Sequence, residues 1–234
     1  RASPGRPVST TPRRRFSPRS RGHDAPARRV RGAPRAGAAM TGRRWRRFLP
    51  FPRRATLRRW FPPFETRNLV HLIARARADL VVDAGANEGQ YVAMLRAAGC
   101  HGPFLSIEPQ GAAHAALAAR AARVPGWRVA PRLALGAAAG EATLHRYADA
   151  SLASLRAPAA RHRPAPAFAP AGGERVPVAP LDAVMSGHAP GARRPFLKLD
   201  LQGAEREALA GAPETLARAV GVQVELPLAE GYEG

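Results

Sequence analysis

The chain has little of what most functional sites are built from: one cysteine (Cys100), one lysine (Lys198), three methionines, and aromatics at 6% of its 234 residues. A single cysteine excludes an intramolecular disulfide framework and a cysteine-based metal centre, and Cys100 reads as a small apolar residue near a helix end. The histidines, at positions 23, 71, 101, 114, 145, 162 and 188, show no metal-ligand spacing, so no metal is expected. No apolar run approaches the roughly 20 residues of a membrane-spanning helix. Arg13-Arg14-Arg15-Phe16 and the stretch from Arg43 to Leu49 resemble twin-arginine export signals, but prolines and arginines stand where the apolar segment should follow. A soluble, cytoplasmic location is the expectation. No Gly-x-Ser-x-Gly element is present, which leaves a serine hydrolase without support.

Acidic groups are scarce only at the front. Residues 1–60 hold nineteen arginines and one acid, Asp24, whereas residues 61–234 hold eighteen basic and sixteen acidic groups. The formal charge of +20 therefore belongs to the front segment, and the remainder is nearly neutral. Residues 1–39 are rich in Arg, Pro, Gly, Ser and Ala with almost no large apolar side chain, so burial cannot offset chain entropy and a disordered tail is expected. Met40 is the first methionine, and translation starting there would make 1–39 upstream sequence of a GC-rich gene. Residues 40–65 interleave arginine with Trp45, Phe48, Phe51, Trp60, Phe61 and Phe64. This basic arm either packs its aromatics on the domain or contacts RNA or a membrane surface, with nucleic acid the less favoured partner.

From residue 66 to 234 the pattern is that of one folded domain. Asn68 is placed to cap a helix carrying Leu69, Leu72, Ile73 and Ala76 on one face. Strands are expected at Leu80 to Ala84, Pro103 to Glu108, Trp127 to Leu135, Ala142 to Tyr147 (added antiparallel), Arg175 to Val178, Phe196 to Leu201 and Val220 to Leu226. Helices fall at Glu88 to Ala98, in the Ala-rich run to Arg123, at Leu181 to Met185, and from Ala204 to Ala219 with a break at Pro213. Asp149 to Gly173, rich in proline, reads as a long irregular loop that is either functional or disordered. The alternation predicts an α/β fold with a doubly wound, mainly parallel sheet.

Leu80-Val-Val-Asp-Ala-Gly-Ala-Asn-Glu-Gly-Gln90 carries the most chemical information. A buried strand ends on Asp83, and Gly85 and Gly89 allow a tight turn and close ligand approach before a helix; a plain strand-to-helix connection would also suit them. Glu108 ends the second strand, close to the distance from the turn at which an acid meets ribose hydroxyls. The bland alternative is a surface carboxylate before Pro109. Asn87 occupies the middle-glycine position of a dinucleotide turn, which argues against a pyrophosphate cofactor such as NAD and for S-adenosylmethionine. Asp83 would then balance that cofactor's cationic groups.

Several segments together resemble the FkbM family of S-adenosylmethionine-dependent methyltransferases: Val82 to Gln90, Ile107-Glu-Pro109, Ala134-Leu-Gly136, Pro180-Leu-Asp182, Leu197 to Glu205 with Leu209 and Gly211, and Val224-Glu-Leu226 with Tyr232-Glu-Gly234. The family's glutamate before Gly203 is here Gln202, which keeps a hydrogen-bonding group and loses a charge. The resemblance implies a Rossmann-like class I methyltransferase fold, an αβα sandwich with strand order 3-2-1-4-5-7-6. The chain stops just after the fifth of these strands, so the last two are expected to be missing. Cofactor contacts are implied for Asp83, Gly85, Ala86, Asn87, Gly89, Gln90, Glu108 and Leu135.

Methyl transfer to a hydroxyl of a small molecule or glycan is the function this implies, and it profits from a base. Asp200 and Glu205 are the candidates, with Lys198 beside them as the third catalytic residue. The alternatives are that Lys198 and Asp200 form an internal ion pair and that Glu205 braces its helix start. Glu225 is either an acceptor-pocket residue or a strand-end carboxylate, His145 either faces the acceptor or lies on the surface, and Ser151 and Ser154 either touch substrate or are loop polarity. Two other functions stay open: a nicotinamide-dependent oxidoreductase, and an inactive domain with an RNA- or membrane-binding tail.

Overall fold

The computed structural model describes residues 64–225 and 231–233. The expected tail (1–39) and nearly all of the arm (40–65) lie outside these residues. Along the described chain run α1 (Phe64–Arg75), β1 (Leu80–Ala84), α2 (Gln90–Ala97), β2 (Phe104–Ile107), α3 (Gly111–Ala121), β3 (Trp127–Val129), β4 (Ala134–Leu135), β5 (Gly140–Tyr147), β6 (Pro170–Ala179), α4 (Leu181–His188), β7 (Pro195–Leu199), α5 (Glu205–Ala210), α6 (Pro213–Arg218) and β8 (Gly221–Val224).

Five strands form one parallel sheet in the order β3-β2-β1-β7-β8. The central strand β1 is buried throughout, as a strand covered on both faces must be. Alternation decides which side chain meets which layer. Leu80, Val82 and Ala84 point with Leu105, Ile107, Leu197 and Leu199 into a core completed by Leu181, Val184 and Met185 of α4 and Ala208 of α5. Val81, Phe104 and Phe196 point the other way, onto Ile73, Val92, Leu95, Leu117 and Trp127. The result is the three-layered αβα sandwich read from the sequence.

Local expectations differ in four places. α1 begins at Phe64, so Asn68 lies inside it and caps nothing, and Leu72 is 57% exposed instead of facing the core. The run from Trp127 to Leu135 divides into β3 and β4, because Pro131 has no amide to continue the ladder and Ala130 makes the last bond, to the Ser106 carbonyl. β5 does not extend the parallel sheet. It pairs antiparallel with β6 in a separate three-stranded sheet of order β4-β6-β5. The long loop is shorter and more regular than expected, with single 3₁₀ turns at Ala150–Leu152 and Pro166–Phe168 before β6 starts at Pro170.

Residues 231–233 fold back over this loop. Ala159 donates its amide to the Gly231 carbonyl, the Glu233 amide donates to Ala157, and Tyr232 bridges Pro158. That pairing delivers Tyr232 to the same end of the sheet as the glycine turn after β1.

Candidate functional site

Parallel register sets Asp83 of β1 directly beside Lys198 of β7 and Ser106 of β2, all on the face that carries α2. Asp83 is fully buried, and its Oδ1 lies 3.0 Å from Lys198 Nζ. The same ammonium donates to the Gly85 carbonyl at 2.9 Å and the Ala84 carbonyl at 3.3 Å, approaches Asp200 Oδ2 at 3.4 Å, and sits 5.5 Å from the centre of the Tyr91 ring. Burial pushes the Asp83 carboxyl up, against the opposing pull of Lys198. A buried ion pair of this kind tolerates loss of neither partner. Lys198 thus ties the end of β1, the glycine turn and Asp200 into one unit.

Gly85 has φ +73°, and a β-carbon there would stand 1.8 Å from the Asp200 carbonyl oxygen. Only glycine meets both conditions. Gly89, at φ +85°, is needed on the same two grounds: a β-carbon would strike the Trp127 indole at 2.6 Å, where that ring, held by its Nε1–H donation to Ser106 Oγ at 3.0 Å, packs under the start of α2.

Beyond the carboxyl ends of β1, β2 and β7 lies a cavity of about 360 Å³, lined among others by Gly85, Asn87, Glu108, Leu135, Asp200 and Glu225. Glu108 is 7% exposed. Its Oε2 accepts the Asn87 amide and its Oε1 the Gln110 amide, each at 2.8 Å, so the carboxylate is fixed while each oxygen keeps a lone pair. Burial raises the Glu108 pKa, and these two amides act the other way. Across the cavity the Asp200 carboxylate, together with partial burial, holds the Glu225 carboxyl above its usual range.

The structure therefore sorts the sequence candidates. Gly85, Asn87, Glu108, Leu135 and Asp200 border the cavity. Asp83, Ala86, Gly89, Gln90 and Lys198 are not among its lining residues. Glu205 takes the bracing position: its carboxylate accepts the Leu201 amide at 2.7 Å and the Gly203 amide at 3.1 Å, which leaves it occupied with the loop after β7. Glu225 borders the cavity, as does Ser151. His145 is exposed.

Three residues gain importance that sequence did not give them. Gln202 has φ +53°, its Nε2 donates to Asp200 Oδ1 at 2.8 Å, and its Oε1 accepts the Tyr232 hydroxyl at 2.7 Å. Ser154, fully buried, donates from Oγ to the Gln202 carbonyl at 2.6 Å. Tyr232 packs on Gly203, where a β-carbon would stand 3.1 Å from that ring. Asp200 is thus oriented from both sides, by Lys198 and by the Gln202 amide. Only the Tyr-Glu-Gly end of the chain signalled Tyr232, and nothing signalled Ser154 as a buried residue.

Among the described residues no cluster of His, Cys, Asp and Glu is arranged to hold a metal, and no helix is long and apolar enough to cross a membrane. A family model, the methyltransferase FkbM domain, matches residues 83–233, more than half of the chain. No curated protein and no solved structure gives a significant match.

Proposed function

The chain belongs to the FkbM methyltransferase family, and from that premise we propose that it moves a methyl group from S-adenosylmethionine to a hydroxyl oxygen of a small molecule or glycan. The observation that carries this reading is one cavity bordered by a fixed acid just after β2, Glu108, and an oriented acid after β7, Asp200, with the Gly85 turn between them. The residues fit the cofactor. Glu108 has free lone pairs for two ribose hydroxyls, the backbone at Gly85 has no side chain to obstruct close approach, and Asp200 and Glu225 supply negative charge opposite a sulfonium and an ammonium group. Asp83 is the poorer partner for those cations, since its charge is matched by Lys198.

When bound, the cofactor supplies an electrophilic methyl on a cationic sulfur. The protein's own work is alignment, exclusion of water and removal of one proton. Leu133, Leu135 and Leu144 give the cavity apolar walls that keep water from the reacting oxygen. The hydroxyl proton passes to Asp200 or to the neighbouring Glu225. The Asp200 carboxylate beside it holds the Glu225 carboxyl above its usual range, which suits the ionised Glu225 to accept a proton. Lys198 and Gln202 position Asp200, and Glu205 shapes the loop that carries it.

The oxidoreductase reading has a specific obstacle. Asn87 has φ +48°, and its amide is already donated to Glu108, so the turn offers no open nest at the position where a pyrophosphate would sit. Calorimetric titration with S-adenosylhomocysteine and with NAD separates the two. One equivalent of S-adenosylhomocysteine is expected to bind, with loss of about tenfold or more in Glu108→Ala. Tight NAD binding with none of S-adenosylhomocysteine would overturn the proposal.

A further inference from the structure

A second cavity, of about 260 Å³, opens between the far end of the β5–β6 ribbon and the loop before β6. Its lining combines Arg146, Arg163 and His145 with the rings of Tyr147 and Phe168, and contains no carboxylate. The two guanidinium groups differ. Arg163 is already matched, since it pairs with the Glu233 carboxylate and donates from Nε to the Pro158 carbonyl at 3.3 Å. Arg146 donates from Nη2 to the Ala171 carbonyl at 3.2 Å, but its enclosed Nε has no hydrogen-bond partner and no carboxylate among the described residues pairs with it. Gly172, at φ +105°, leaves room for this guanidinium, which would stand 3.4 Å from a β-carbon there. A guanidinium at a cavity wall with no carboxylate paired to it among the described residues is what an anionic ligand group completes, and its planar fork favours carboxylate or phosphate over a point anion.

A row of side-chain contacts runs from the second cavity to Asp200 at the first. Tyr147 meets Phe168 edge-on with centroids 5.6 Å apart, Phe168 meets Tyr232 at 6.2 Å, and the Tyr232 hydroxyl reaches Gln202, which holds Asp200. A volume of this size holds one ring and one anionic group, not a whole cofactor. We propose that this cavity is the distal subsite for the methyl acceptor, and that it takes a carboxylate or phosphate attached to a flat ring, with Arg146 as the anion's partner. The idea rests on the methyltransferase reading for its role in catalysis, though not for the binding itself. It narrows the acceptor class to an anionic small molecule whose reacting hydroxyl lies beyond the aromatic row from its charge.

Phenyl phosphate, benzoate and phenol, titrated into the full chain with and without S-adenosylhomocysteine, test it by calorimetry and by amide chemical shifts. Phenyl phosphate and benzoate should bind, phenol should not, and the shifts should centre on Arg146 and Gly172 in the unmodified protein. Arg146→Gln should weaken phenyl phosphate by about tenfold or more and leave S-adenosylhomocysteine binding unchanged. Displacement of phenyl phosphate by S-adenosylhomocysteine, equal binding of phenol, shifts centred elsewhere, or absence of binding would each overturn the proposal. Phenyl phosphate binding at Arg146 in a chain that ignores S-adenosylhomocysteine would sustain the anion subsite and sink the cofactor assignment.

Discussion

The parallel sheet and the three-stranded sheet are built by opposite rules. Every residue of β1, β2 and β7 is buried, whereas β5 buries only Leu144 and Tyr147, and β6 only Val176. On those three buried strands and at their ends, charge has a partner fixed for it: Asp83 by Lys198, Glu108 by two backbone amides. In the second, charged groups such as Glu141 and Arg175 stand in water and pair across the ribbon at the surface. The comparison teaches how each sheet can serve the proposed function: a fixed cofactor seat suits a sheet locked by burial, and acceptor contacts suit a ribbon whose side chains stand in water.

The contrast is broken most severely at its buried end. Lys198→Met removes the counter-charge of a fully buried carboxylate and should cost about 3–5 kcal/mol at neutral pH, read by denaturant unfolding. The sign of its pH dependence follows from Asp83. A carboxyl whose folded-state pKa is raised by burial stabilises the fold in acid and loses that contribution as pH rises through the folded value. K198M should therefore approach the natural protein in mild acid and fall further below it toward alkaline pH. Gly85→Ala forces a β-carbon onto the Asp200 carbonyl in a left-handed backbone, for which roughly 3 kcal/mol and loss of S-adenosylhomocysteine binding are expected.

Intermediate effects belong to the helices behind the sheet. Asp182 of α4 caps α6 by accepting the amides of Glu214 at 2.9 Å and Thr215 at 2.8 Å. Burial pushes its carboxyl up, but the hydrogen bonds from Thr215 and Glu214 outweigh this and leave it below the usual range. Asp182→Ala should cost about 1 kcal/mol, and the difference from the natural protein should shrink as pH falls through the lowered carboxyl value. At the ribbon, Arg175→Ala removes an exposed pair with Glu141 and should change stability by no more than about 0.5 kcal/mol. A large loss there would show that the ribbon is locked like the sheet.

What could be read from the sequence follows the same division. β1, β2, β7 and their flanking helices were legible because burial on both faces leaves continuous apolar runs, and the Gly85 turn follows directly from one of them. The ribbon was not. The apolar spacing of Trp127 to Leu135 continues across Pro131, so the pattern does not reveal that the missing amide sends the chain into another sheet. Among the site residues, Glu108 and Asp200 were visible as acids at strand ends. The bracing of Glu205, the buried hydroxyl of Ser154 and the placement of Tyr232 depend on contacts with distant segments: Ser154 lies 48 residues from Gln202, and Tyr232 lies 80 from Leu152. No local spacing encodes them.

Amide chemical shifts recorded while S-adenosylhomocysteine is added test the central claim most directly, because the two donors that fix Glu108 are themselves amides. The largest changes are expected at Gly85, Asn87 and Gln110, with the β5–β6 ribbon unaffected beyond its end at the cavity. Changes centred on Arg146 and Gly172, with Asn87 and Gln110 unmoved, would contradict a cofactor seat at the ends of the parallel strands.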